Sequence, residues 1–136
     1  MAEAFSFELV SPEKLLLSDD VEMVVVPGAE GDFGVLVGHA PLISSLRPGV
    51  IDTYNGDKVE KRIFVAGGFA EVTGERCAVL AEEAVPVEDI DASAVEERIK
   101  AANKAISAAD NDTARTAAET ELAVAEAMLA AGHARS

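Results

Sequence analysis

Cysteine is almost absent: Cys77 stands alone, so no disulfide can close within the chain, and a reducing compartment fits. Histidine is nearly as scarce. His39 and His133 are the only two, and with one mid-strand cysteine they supply no metal-ligand set and no catalytic pair. Basic residues are few, 11 against 25 acidic ones, for a net charge of −14. That balance argues against nucleic acid and against anionic lipid as direct partners, since both need Lys/Arg neutralisation, and it favours basic protein surfaces. Long hydrophobic runs are missing. Met23-Val24-Val25-Val26 is far short of a bilayer span, and Met1 to Phe7 carries an acid and no basic leader region. A soluble protein kept on the inside is expected, one that inserts in no lipid and meets a membrane only through another protein.

Glycine and proline are present but segregated. All five prolines and nine of the ten glycines precede residue 88, while 16 of the 25 alanines follow residue 87. Two domains are therefore expected, 1–87 and 88–136. The first reads as short strands: Phe5, Phe7 and Leu9 in alternation, Val21 to Val26 ending at Pro27, Val50 to Tyr54, Val59 to Ala66, Phe69 to Thr73 and Arg76 to Ala81. Asn55-Gly56-Asp57 and Gly74-Glu75 supply the hairpin turns. An antiparallel β-sandwich or flattened barrel follows.

The second half reads as an antiparallel α-helical hairpin. Ser93 to Glu96 fits a capping box, with Asp91 as an alternative N-cap. Val95, Ile99, Ala102 and Ile106 form one apolar stripe. After the polar break Asp110-Asn111-Asp112, a second stripe of Ala118, Leu122, Ala125 and Leu129 ends at Gly132. Alanine seams bury little area, at ~25 cal/mol per Å2, so the hairpin is expected to detach readily.

Residues 27–49 hold five glycines and three prolines around Glu30, Asp32 and His39, and predict a succession of tight turns that fix those side chains. No Lys-Ser/Thr pair follows the glycines, so this is not a phosphate loop. An acidic turn residue such as Asp32 is most often a turn former. His39 reads either as a buried, hydrogen-bonded turn residue or as an interface residue. Phe33, Phe64 and Phe69 are expected in the core, with Phe33 partly available as an anchor. Ser44 and Ser45 lie near His39 but lack the strained elbow and orienting acid of a hydrolase. The acids Glu82, Glu83, Glu88 and Asp89 read as a solvated connection, or as a docking patch for Arg98, Lys100 and Lys104.

Glu30-Gly31-Asp32-Phe33-Gly34, Gly38-His39-Ala40-Pro41-Leu42, Pro48-Gly49, Gly67-Gly68-Phe69-Ala70-Glu71-Val72 and Val79-Leu80-Ala81, in that order and spacing, resemble the epsilon subunit family of F-type ATP synthase. The resemblance covers nearly the whole chain, and the lack of a transit peptide favours the bacterial form. It implies a non-catalytic subunit of the rotor's central stalk, with no cofactor, at the cytoplasmic face of the inner membrane. Glu30, Gly31, Asp32 and Phe33 would meet the c-ring loops; His39, Ala40, Pro41 and Leu42 would lie at the gamma interface. The hairpin would reach the alpha/beta catalytic head transiently. Two departures stand out. Val37 occupies a place where proline is common. The family's ATP motif is degenerate here: Ile90-Asp91-Ala92-Ser93 is followed by Ala94 and Val95, so the arginine is missing and ATP binding is not expected. The rival implication is a nucleotide-sensing inhibitory subunit.

Overall fold

A computed structural model describes residues 3–134, which form two compact units, one up to Pro86 and one from Val87 onward. The first unit consists of β1 Phe5–Val10, β2 Leu15–Val21, β3 Met23–Gly28, β4 Gly31–Val35, β5 Leu42–Ser45, β6 Gly49–Asn55, β7 Lys58–Val72 and β8 Arg76–Pro86. The strands run in the order β2-β1-β8-β7-β6-β3-β4, with β5 paired to β7 off that path. Every pairing is antiparallel except β1 with β8.

The β7–β8 hairpin belongs to both layers of the sandwich. Lys58 to Val65 pairs with β6, Phe69 to Val72 pairs with β5, and β8 accompanies both stretches. Between them Gly67 and Gly68 adopt φ of 74° and 94°, which bends the strand as sheet corners require. One core results, with Phe7, Leu9, Val24, Val26, Ile51 and Val79 at its centre. Truncating a buried phenylalanine such as Phe7 to alanine costs about 3–5 kcal/mol.

The sandwich and the helical hairpin stand as expected, and several boundaries move. Val21 closes β2 instead of opening the next strand, and Pro27 lies inside β3 rather than ending it. Pro27 is tolerated because the pairing of β3 with β6 stops at Val25. The two strands expected at 59–66 and 69–73 are one 15-residue strand. Residues 27–49 contain two strands, β4 and β5, so the segment is only partly turns. Only Gly31 and Gly38 among its glycines take positive φ; Gly28 and Gly49 serve instead to leave room, since a Cβ at either would lie 2.8 Å from a neighbouring atom.

The second unit opens with a short 3-10 turn, Val87–Asp89, followed by α1 Ala92–Ala108 and α2 Asp112–Ala134. Asp91 is the N-cap of α1: its carboxylate accepts from the Ser93 and Ala94 amides at 3.0 and 3.4 Å. Ser93 is thus inside the helix, and the capping-box placement is corrected. Asn111 caps α2 by accepting from the Ala114 amide at 2.8 Å. Gly132 does not end α2, which continues to Ala134. A Cβ at Gly132 would sit 3.0 Å from Ile90, so the glycine leaves space for the connector that leads into α1. The helices run antiparallel: Arg98, early in α1, donates to Glu121 at 2.6 and 2.9 Å and reaches Met128 Sδ at 3.9 Å. Val95, Ala102, Ala118, Ala125, Met128 and Ala131 are buried, so the seam is mostly small side chains.

Candidate functional site

Two surfaces of the sandwich unit carry the residues of interest. The first is the tip of the β3–β4 hairpin. Gly28 pairs with Gly31 across a two-residue loop of Ala29 and Glu30, and both loop residues are exposed. Phe33 turns its ring over Gly28, where a Cβ would lie 2.9 Å from Phe33 Cε1, and it packs against the core. It anchors the tip from beneath; Glu30, Gly31 and Asp32 are exposed.

Asp32 does not stand alone. It forms an ion pair with Arg47, whose Nη1 also donates to the Gly28 carbonyl at 2.7 Å. The Arg47 amide donates to the Pro27 carbonyl at 3.0 Å, and the Ala29 amide donates to the Ser45 carbonyl at 2.8 Å. The tip is thereby tied to the chain that leaves β5. Nothing in the one-dimensional spacing of Asp32 and Arg47, 15 residues apart, signals this pair.

The second surface is the outer face of the β2-β1-β8-β7-β5 layer. Cross-strand partners share a face. Ser45 pairs with Phe69, Phe69 with Leu80, Leu80 with Val10, and Val10 with Leu15. These pairings draw one row across five strands, apolar on β7, β8, β1 and β2 and ending at Ser45 on β5. Ile43 lies beside it on β5, opposite Glu71. Phe69 is 43% exposed and Ile43 68%, large apolar side chains held in water. The expectation that Phe69 is core is therefore corrected, while Phe64 is fully buried. Its neighbours Ala70 and Val72 face inward, and strand alternation turns Phe69 outward.

The loop 36–41 borders this face through β5. Gly38 donates its amide to the Gly74 carbonyl at 2.8 Å, next to the β7–β8 turn. His39 is half-buried, not buried; its Nδ1 lies 2.7 Å from the Ala40 carbonyl, which requires the hydrogen on Nδ1. Ala40, Pro41 and Leu42 follow it, all exposed. Ser44 donates to the Ser45 carbonyl at 3.0 Å, so His39 and Ser44 are engaged separately.

The degenerate nucleotide motif lies in the second unit. Asp91 spends its carboxylate on two helix amides, Ile90 is buried beside Gly132, and Ala94 is exposed. Among the described residues no cluster of three or more metal-ligating side chains occurs, and no helix is long and apolar enough to cross a membrane. Arg98 and Lys100 have carboxylate partners inside the hairpin, Glu121 and Glu97.

The first unit is thus an eight-stranded sandwich with an acidic hairpin tip and exposed apolar side chains on one face, and the second is a pair of antiparallel helices. Residues 4–87 match the family described as ATP synthase, Delta/Epsilon chain, beta-sandwich domain. The chain belongs to that family. It is 56% identical over 131 residues to an ATP synthase epsilon chain of Rhodospirillum rubrum, covering 96% of this chain and 98% of the relative. The epsilon chain of Paramagnetospirillum magneticum is 58% identical over 131 residues, with the same coverage. Among solved structures, a chain of the Euglena gracilis mitochondrial ATP synthase, in a cryo-EM structure of OSCP/F1/c-ring, aligns with a TM-score of 0.79 and 28% identity. The alignment covers 96% of this chain and 82% of that one.

Proposed function

We propose that this chain is the epsilon subunit of a bacterial proton-translocating ATP synthase and works in its central stalk. In that role it performs no catalysis. It binds the gamma subunit through the apolar row around Phe69 and Ile43, with the loop His39 to Leu42 alongside. Its β3–β4 tip, Glu30 to Asp32 held up by Phe33, rests on the polar loops of the c-ring. Ring rotation then passes through gamma to the catalytic head. It sits peripherally at the cytoplasmic face of the inner membrane. The observation that carries the reading is identity above half to bacterial epsilon chains over nearly their full length. The exposed apolar row supports it, because a monomer gains nothing from holding Phe69 and Ile43 in water.

The helical hairpin reaches the alpha/beta head only transiently and regulates hydrolysis weakly. The nucleotide-sensing alternative is disfavoured by Asp91, whose carboxylate already serves as a helix cap. The test is capture of gamma by the tagged chain when the two are co-expressed. The chain should retain gamma, and Phe69→Asp combined with Ile43→Asp should lose it while the sandwich stays folded by circular dichroism. Undiminished capture by the double variant would overturn this assignment of the face.

A further inference from the structure

Glu30 and Asp32 are two residues apart at one tip, yet their electrostatic situations differ. Asp32 is half of an ion pair with Arg47, and its charge is locally compensated. The Glu30 carboxylate is exposed and has no hydrogen-bond or ion-pair partner among the described residues. Arg47 meanwhile does two things at once: it takes Asp32, and it holds the Gly28 carbonyl at 2.7 Å, the last residue before the loop. A planar guanidinium can serve both acceptors in one fixed geometry, whereas a single ammonium cannot do so with the same rigidity.

We propose that Arg47 is a positioning residue for the ring contact, fixing the hairpin tip while neutralising Asp32, so that Glu30 is the carboxylate offered to a basic or amide-bearing loop. This rests on the ring-contact reading above and sharpens it, moving the recognising charge from Asp32 to Glu30. Two backbone hydrogen bonds beside the pair, Arg47 N on the Pro27 carbonyl and Ala29 N on the Ser45 carbonyl, also link the tip to the end of β5. The tip is thereby tied to the strand that carries Ile43. The exposed ion pair by itself contributes little to stability, so the effect of losing Arg47 is local.

The test has two arms. In the isolated full chain, Arg47→Met should speed hydrogen exchange at the Ala29 amide several-fold and leave core amides such as Val79 unchanged, with Arg47→Lys intermediate. In the assembled enzyme, Glu30→Gln should lower ATP-driven proton pumping relative to hydrolysis more than Asp32→Asn does. Arg47→Met should reduce the disulfide yield between Ala29→Cys and a cysteine in the ring loop. Unchanged exchange at Ala29 in Arg47→Met would overturn the positioning role. A pumping loss as large in Asp32→Asn as in Glu30→Gln would overturn the assignment of Glu30. Absence of any Ala29→Cys crosslink with Arg47 intact would instead overturn the ring-contact reading itself, and the role of Glu30 with it.

Discussion

The carbonyl oxygen of Leu80 occupies the place where a side chain on Gly68 would begin: a Cβ there would lie 1.8 Å from it. Gly68 also has φ of 94°, so the position is closed to other residues on two independent grounds. Gly68→Ala should destabilise the sandwich by at least ~2 kcal/mol, measured by urea unfolding. Gly34→Ala is the control, since its Cβ would meet only Met23 Sδ at 3.8 Å, and it should shift the midpoint little.

Burial pushes the Cys77 thiol from 9.0 up to about 12, because the thiolate cannot be hydrated inside the core. The folded chain therefore keeps a proton that the unfolded chain begins to release near pH 9.0. This stabilisation is complete below that pH and is lost as pH rises toward 12. Alkylation at about pH 8 should be slow in the native chain and fast in denaturant, and the urea midpoint should fall as pH rises above 9.0. Rapid native alkylation would contradict the burial.

ATP should bind poorly. Asp91 is committed to the Ser93 and Ala94 amides, and Ala94 offers no donor fork to phosphate. Calorimetric titration should show no saturable heat in the micromolar range, and submicromolar affinity would revive the nucleotide-sensing alternative.

The hairpin should be a weak brake. Within α2 Arg115 is the one Lys or Arg, with His133 in the last turn, against Asp112, Glu119, Glu121 and Glu126, so its approach to an acidic partner is opposed. Arg135 lies outside the described residues. The small-residue seam and the partly exposed Arg98–Glu121 pair, worth under ~1 kcal/mol, hold the hairpin weakly, which pulls the other way, but easy release without a basic grip makes a poor brake. Deleting residues 88–136 should leave a folded sandwich and change ATP hydrolysis by the isolated enzyme less than two-fold or so. A several-fold rise with synthesis unchanged would make the hairpin the main inhibitor.

Fold class and most hairpin turns were legible because their signals are local. Gly56 has φ of 68° in the turn that Asn55-Gly56 announces, and Thr73 and Arg76 bond across Gly74-Glu75. β2 was not legible: Leu15-Leu16-Leu17 followed by Ser18-Asp19-Asp20 lacks alternation, as suits an edge strand open to water. Phe69 was misread from its size, although the inward phase of Ala70 and Val72 held the answer. The sequence placed Glu30 and Asp32 at a turn, but the pairing of Asp32 with Arg47 was not legible. It depends on Arg47 arriving from beyond β5, a tertiary fact with no sequence period.

Disulfide trapping in the assembled enzyme tests the central claim most directly, and the native Cys77 is buried deeply enough not to interfere. The β3–β4 tip and Asn55 lie at opposite ends of the sandwich, since β3 pairs Met23 with Tyr54 at one end and Gly28 with Gly31 at the other. A cysteine at Ala29 should crosslink to a cysteine in the polar c-ring loop, block rotation, and release on reduction. A cysteine at Asn55 should not. Equal crosslinking from both ends, or from Asn55 alone, would contradict the placement of this chain on the ring.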